Sequence, residues 1–280
     1  MDLWVFDDAN IYVAGQDGVP KHFDGKRWEN VATDNTNPLM GIWAAHENDV
    51  YAVGVGGVVL HYDGKIWAQR ETGNYDSLNG VYGHGSDNVF IYGVGGQVLF
   101  WDGKHWNYRE PGTIHDLFCL WGEDIDHIYA VGGEGTFRFY NGKIFERREE
   151  LTPEEISLHG VWGTSTNNVY IVATHGKILH FDGEQWKSIE SGTEEYLLSI
   201  WGSSENDIFV VGDKSVILHF DGKTWTPMES GTENYLTKVR GLRPDSVYAV
   251  GDNGCVIHYD GKKWTDMSLP KQEGPGAYER

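Results

Sequence analysis

Only two cysteines occur in 280 residues, Cys119 and Cys255, far apart and in different repeats. A disulfide framework of the kind that staples small secreted domains is therefore excluded. Basic residues are also few: 22 Lys and Arg stand against 42 Asp and Glu, a formal net charge of −20. Such a surface repels phosphate, because nucleic-acid affinity comes largely from neutralising phosphates with Lys and Arg. Nucleic acids and anionic membranes are not expected as partners. The longest apolar runs are strand-sized, so none reads as a membrane-spanning helix. Met1 opens directly into LWVF, with no basic stretch ahead of an apolar one, and no signal peptide is read. Cytoplasmic residence is the expectation, or origin as a module of a longer exported protein. Catalytic signatures are missing too: there is no G-x-S-x-G, no H-E-x-x-H and no P-loop.

What is abundant is glycine (37), tryptophan (12) and aromatics in general (14%). They recur with a period. The rings Trp28, Trp67, Trp106, Phe145, Trp186, Trp225 and Trp264 each follow an Asp-Gly or Asn-Gly pair, spaced by 39 residues except for one interval of 41. A second column runs Trp4, Trp43, Tyr82, Trp121, Trp162, Trp201 and Arg240. A fixed period of this length marks a repeat architecture.

Each unit resolves into four short strands, for example LNGVYG (78–83), VFIYG (89–93), QVLFWD (97–102) and KHWNYRE (104–110). The Asp-Gly pairs supply the positive φ that tight hairpins need. Four antiparallel strands repeated radially predict an all-β, seven-bladed β-propeller. The blades are expected at about 1–38, 39–77, 78–116, 117–157, 158–196, 197–235 and 236–269. The first unit begins at its innermost strand and the last completes its outer strand, so each blade is expected from contiguous chain, without strand exchange. Residues 270–280, PKQEGPGAYER, read as a flexible C-terminal tail.

The pattern W-G-x-S-x-x-D-V-Y-A-V-G-x-x-G-x-I-L-H-F-D-G-x-x-W resembles bacterial tandem propeller repeats related to photosystem II assembly-factor propellers. It is also similar to the Asp-box repeats of sialidase-like propellers. The resemblance implies the fold over nearly the whole chain, and functions as varied as assembly factor, hydrolase and binding module. The sialidase set of converging arginines is not visible, since Arg138, Arg147 and Arg148 fall in one blade.

The periodicity assigns the most conspicuous side chains to packing. Eleven of the twelve tryptophans fall in the two ring columns, and Trp101 occupies the Tyr/Phe column before the Asp-Gly turn. His22, His61, His180, His219 and His258 share one column with Phe100 and Phe139, as half-buried packing residues with local partners would. The exceptions stand out. Loops entering the innermost strands and loops joining second to third strands share the face around the channel mouth. That face is expected to carry His115, Asp116, Glu134, His159, His175, Tyr196 and Tyr235. His159 leads, because its column is variable (Met40, Asn79, Phe118, Leu198, Thr237). His115, His159 and His175, with Glu134, have ligand types suited to zinc, without short-range ligand spacing. Arg240 replaces an aromatic near the channel and calls for an acidic partner, an anionic ligand or special packing at the seam. Cys119 lies beside His159 by column, which leaves a Cys–His pair open.

The expected function is a non-enzymatic binding or assembly module presenting the channel mouth to a protein or small polar ligand. The chain is expected to be a monomer without a cofactor. A hydrolase or lyase with an acid/His site, with or without a metal, and a carbohydrate-binding propeller are the alternatives.

Overall fold

The computed structural model describes residues 1–148 and 156–269. The tail expected at 270–280, and most of the acidic insertion before the fifth blade, lie outside the described residues. The chain forms seven four-stranded antiparallel sheets, each built from four consecutive strands. No sheet borrows a strand from another. In the third blade the strands are Leu78–Gly83, Val89–Gly93, Val98–Trp101 and Trp106–Tyr108. Ile91 pairs with Val81 on one side and Leu99 on the other.

Turn chemistry explains the outer hairpins. In all seven blades the Asp or Asn before the glycine accepts two backbone amides, those two and three residues on, as Asp63 does from Lys65 and Ile66 at 3.0 Å. The following glycine takes the left-handed conformation, φ +87° at Gly64. The side chain thus closes the turn where the backbone has no partner of its own.

Burial follows from the second strands, which are buried along almost their whole length. A strand covered on both faces reads as a continuous apolar run. The core is a set of seven clusters, each shared by two neighbouring blades. The one that closes the ring joins Leu3, Val5, Ile11 and Val13 of the first blade to Tyr248, Val250 and Val256 of the seventh.

Innermost-strand aromatics lock each blade to the next. The ring edges of Trp121, Trp162 and Trp201 lie 2.5–2.8 Å from where a Cβ would stand on Gly163, Gly202 and Gly241 of the following blade. Trp43 covers Gly83 in the same way. Tyr82 makes the equivalent contact through its hydroxyl, which donates to the Gly122 carbonyl at 2.6 Å and accepts the Gly122 amide at 2.9 Å. Those glycines are required by space. At the closing joint the residue in the glycine's place is Val5, and Arg240 stands in the aromatic's place.

The histidine column packs as its pattern predicts. Each ring stacks on the second-strand aromatic of its own blade, with centroids 4.1–4.5 Å apart. Four of the five bond through Nε2 to an Asn or Asp side chain: His22 to Asn10, His61 to Asp49, His180 to Asn168 and His219 to Asp207. His258 is the exception, because Ser246 replaces the Asn or Asp and turns to Asp8. The tryptophans are all buried or half-buried.

Candidate functional site

Successive turns of an antiparallel blade alternate between its two ends. Loops entering the inner strands and turns between second and third strands therefore share one face, here called the entry face. They are knitted together there. The Val55 amide donates to the Pro38 carbonyl, and the Gly176 amide to the Glu195 carbonyl. Side chains of the entering loops brace their own bends, as Thr113 Oγ1 does by accepting the His115 amide at 3.1 Å.

In six of the blades the inner strand carries a register shift near its start, and the extra residue is Met40, Asn79, Phe118, His159, Leu198 or Thr237. A β-bulge releases one residue from the ladder and re-aims its side chain. This is why the column is so variable. The freed residues reach to neighbouring blades: Asn79 donates to the Leu117 carbonyl at 2.9 Å, and Phe118 stacks on His159 with centroids 5.3 Å apart.

Around His159 the structure gathers part of the expected set. Tyr196 stacks on its other side at 6.5 Å, and His175 meets Tyr196 edge-on at 5.5 Å. Phe118, His159, Tyr196 and His175 form one aromatic array that runs from the fourth blade over the fifth to the loop entering the sixth. Desolvation pushes His159 down to about 4, and its Nε2 is buried without a hydrogen-bond partner among the described residues. It is therefore a neutral ring in a stack, not a proton carrier at neutral pH.

The other candidates separate. His115 and Glu134 are exposed on turns, and Glu134 and His175 occupy left-handed backbone positions, φ +51° and +57°. The Asp116 carboxylate accepts the Gly95 amide at 2.8 Å and so braces the turn of the preceding blade. Tyr235 is exposed at the last entering loop, apart from the array. Among the described residues no group of three His, Cys, Asp or Glu side chains gathers as a metal site would. The zinc expectation for His115, His159 and His175 is corrected accordingly. Backbone bracing orients each loop separately, and His159 is spent in ring stacking. Cys119 does not pair with His159 either; its thiol faces the Val161 carbonyl at 3.8 Å.

Arg240 lies over the Trp4 ring, its guanidinium carbon 3.8 Å from the centroid. No acidic partner bonds it among the described residues, so a seam ion pair at Arg240 is ruled out there. The ion pair of the seam is instead Arg243 with Asp8, at 2.7 Å. Three residues near this end of the channel escaped sequence reading: Phe118, Asp2 and Lys238. Phe118 hides inside its variable column. Asp2 and Lys238 both depart from a column that otherwise holds small residues (Gly41, Gly80, Cys119, Gly160, Ser199), and that signal was legible.

His159 carries a pH prediction. Its folded-state value lies below the ordinary histidine value, so between about pH 6.5 and 4 the unfolded chain binds the extra proton. Stability then falls as pH falls through that window, by up to about 3 kcal/mol from this residue. His159→Phe, which copies Phe118 of the preceding blade, should flatten the fall. Urea unfolding at pH 7 and pH 4.5 measures it, and an unchanged pH dependence in the variant contradicts the assignment.

No family model matches the chain, and no curated protein matches it. Solved structures do. The structure described as "YCF48 bound to D1 peptide" superposes with a TM-score of 0.76 at 19% identity, covering 92% of both chains. The WD40 β-propeller domain of Doa1 gives 0.75 at 10% identity, covering 91% of this chain and 90% of that one. YCF48 from Cyanidioschyzon merolae gives 0.72 at 13% identity, covering 92% and 94%. At these identities the likeness establishes the fold.

Proposed function

We propose that this propeller is a non-enzymatic binding module that docks a protein segment on its entry face. One observation carries the reading. Among the described residues nine large apolar side chains are exposed, and six lie on that face: Met40, Val55, Tyr75, Ile114, Tyr196 and Tyr235. Tyr75 and Ile114 are the most exposed of all, at 79% and 82%. Exposed apolar side chains gathered on one face mark an interaction surface, and aromatic anchors dominate binding energy when a partner covers them. The aromatic array lies on the same face. The neighbour that is described as bound to a peptide supports a protein ligand in preference to a sugar, as does the employment of every tryptophan in packing. The charge of −20 favours a partner with basic residues beside its apolar contacts. The module is proposed to act as a monomer in the cytoplasm.

Paired charge variants test this. Tyr75→Asp with Ile114→Asp should weaken capture of a partner at least tenfold. Ile66→Asp with Ile144→Asp, on turns of the opposite face, should leave capture intact. Equal loss from both pairs, or from neither, counts against the entry face.

A further inference from the structure

We infer that the seventh blade's inner strand makes the central channel a binding site for a small oxyanion, a phosphate or carboxylate, held by Arg240 and assisted by Lys238. The site is independent of the docking face, and either can fail without the other.

A guanidinium offers five donors in its plane and normally meets a carboxylate. Arg240 has none. The Trp4 ring covers one face of the group, which satisfies the charge in part and leaves the in-plane N–H groups untouched. Among the described residues no carbonyl or carboxylate accepts from it. Its nitrogens are not sealed from solvent either, unlike the Nε atoms of Arg109 and Arg138, which are buried without partners. The donors therefore keep some solvent contact within a desolvated environment, where a charge attracts a counter-ion far more strongly than at an open surface.

Two further observations add to this. Lys238 lies two residues away on the same strand, and the intervening Val239 points into the core, at 2% exposure. Strand alternation then puts Lys238 and Arg240 on one face, roughly 7 Å apart along the strand. Lys238 is half-buried and bonds to no described residue. The acid that acts on Arg240 is Asp2, and it is already engaged. Its Oδ1 accepts the Leu3 amide at 2.8 Å and its Oδ2 accepts the Ile42 amide at 3.0 Å, which fastens the first blade to the second. With Asp2 included, the three side chains still sum to one positive charge. In a chain of net charge −20 such an uncompensated pair is conspicuous. Tyr82, Tyr92 and Cys119, the other groups close enough to act on Arg240, are two phenols that burial keeps un-ionised and a thiol.

The test uses the whole purified chain and two probes, inorganic phosphate and succinate, titrated at constant ionic strength made up with chloride. Isothermal calorimetry should show one site for at least one probe, and the melting temperature should rise with the same probe. Arg240→Met keeps the stem and removes the donors; it should weaken binding at least tenfold and abolish the thermal rise. Lys238→Met should weaken binding severalfold, and it serves alone if Arg240→Met does not fold. Response to phosphate only, or to succinate only, identifies the oxyanion. No heat from either probe in the wild type overturns the inference. So does an anion response that persists in both variants, which would leave Arg240 a packing residue on Trp4.

Discussion

Arg240→Trp, the substitution that restores the repeat's own pattern, should destabilise the protein by about 2–3 kcal/mol. At four other joints the inner-strand tryptophan lies against a glycine whose missing side chain makes the room, and at the first joint the residue facing Trp4 is no larger than Ala44. At the closing joint that room is filled by Val5, which is 7% exposed and belongs to the cluster joining the first and seventh blades. An indole there competes with the valine for one space, whereas a slender arginine stem passes it and lays its head on Trp4. Val5→Gly by itself should also cost stability, about 2–3 kcal/mol, through the cavity it leaves. The pair together should cost less than the two losses summed, because Trp and Gly rebuild the contact found at those four joints. Urea unfolding of the four proteins gives the coupling directly. A coupling near zero would mean that Val5 does not explain the arginine.

Asp8→Ala should cost about 2 kcal/mol, a large effect for a side chain at the surface. Its carboxylate gathers three donors from the seventh blade: the Ser246 hydroxyl, the Tyr248 hydroxyl at 2.9 Å and Arg243 at 2.7 Å. Desolvation pushes the Asp8 carboxyl up, yet those bonds outweigh it, and the group lies below its ordinary value. A depressed carboxyl contributes stability above its unfolded value of about 4 and loses it as pH falls through the folded value. The contribution is discounted because the group is partly in water. What makes it matter is position. No strand crosses from one end of the chain to the other, so the ring is held shut by this cluster, by apolar packing, by the Thr237 hydroxyl donating to the Met1 carbonyl at 2.8 Å and by the Trp28 indole donating to the Met267 carbonyl at 2.9 Å. The Tyr248 ring is almost fully buried at 1% exposure, and the variant leaves its hydroxyl without this acceptor. Asp87→Ala, on the corresponding turn of the third blade, should change stability by less than about 0.5 kcal/mol. Hydrogen exchange should show the first and seventh blades opening first in Asp8→Ala. Uniform loss across all blades would contradict a seam role.

Much of the architecture was legible because it repeats. A column read seven times averages out accident, so the strands, the Asp-Gly turns and the packing of Trp and His followed from spacing and turn chemistry alone. Phe100 and Phe139 in the histidine column show this well: a position that accepts Phe is a ring-packing position, and both rings pack, tilted, against the second-strand aromatic of their blade. The candidate site was legible only in part. Variability correctly singled out the column of His159, but its cause is a β-bulge, which depends on hydrogen-bond register and leaves no mark in composition.

The amino-acid sequence by itself determined the number of blades, their four strands and the side chains that fill the space between them. Those are local properties, set by alternation, glycine and a side chain's size within one 39-residue unit. Only the tertiary structure decided which exceptions meet. It placed Tyr196 between His159 and His175 and did not gather His115 with them as metal ligands. It also tied Asp8 to partners 235 to 240 residues distant and left Arg240 facing the channel with Trp4 beneath it. Ring closure is the physical reason: it brings the two ends of the chain together at a single joint, and a joint that occurs once has no repeat to announce it.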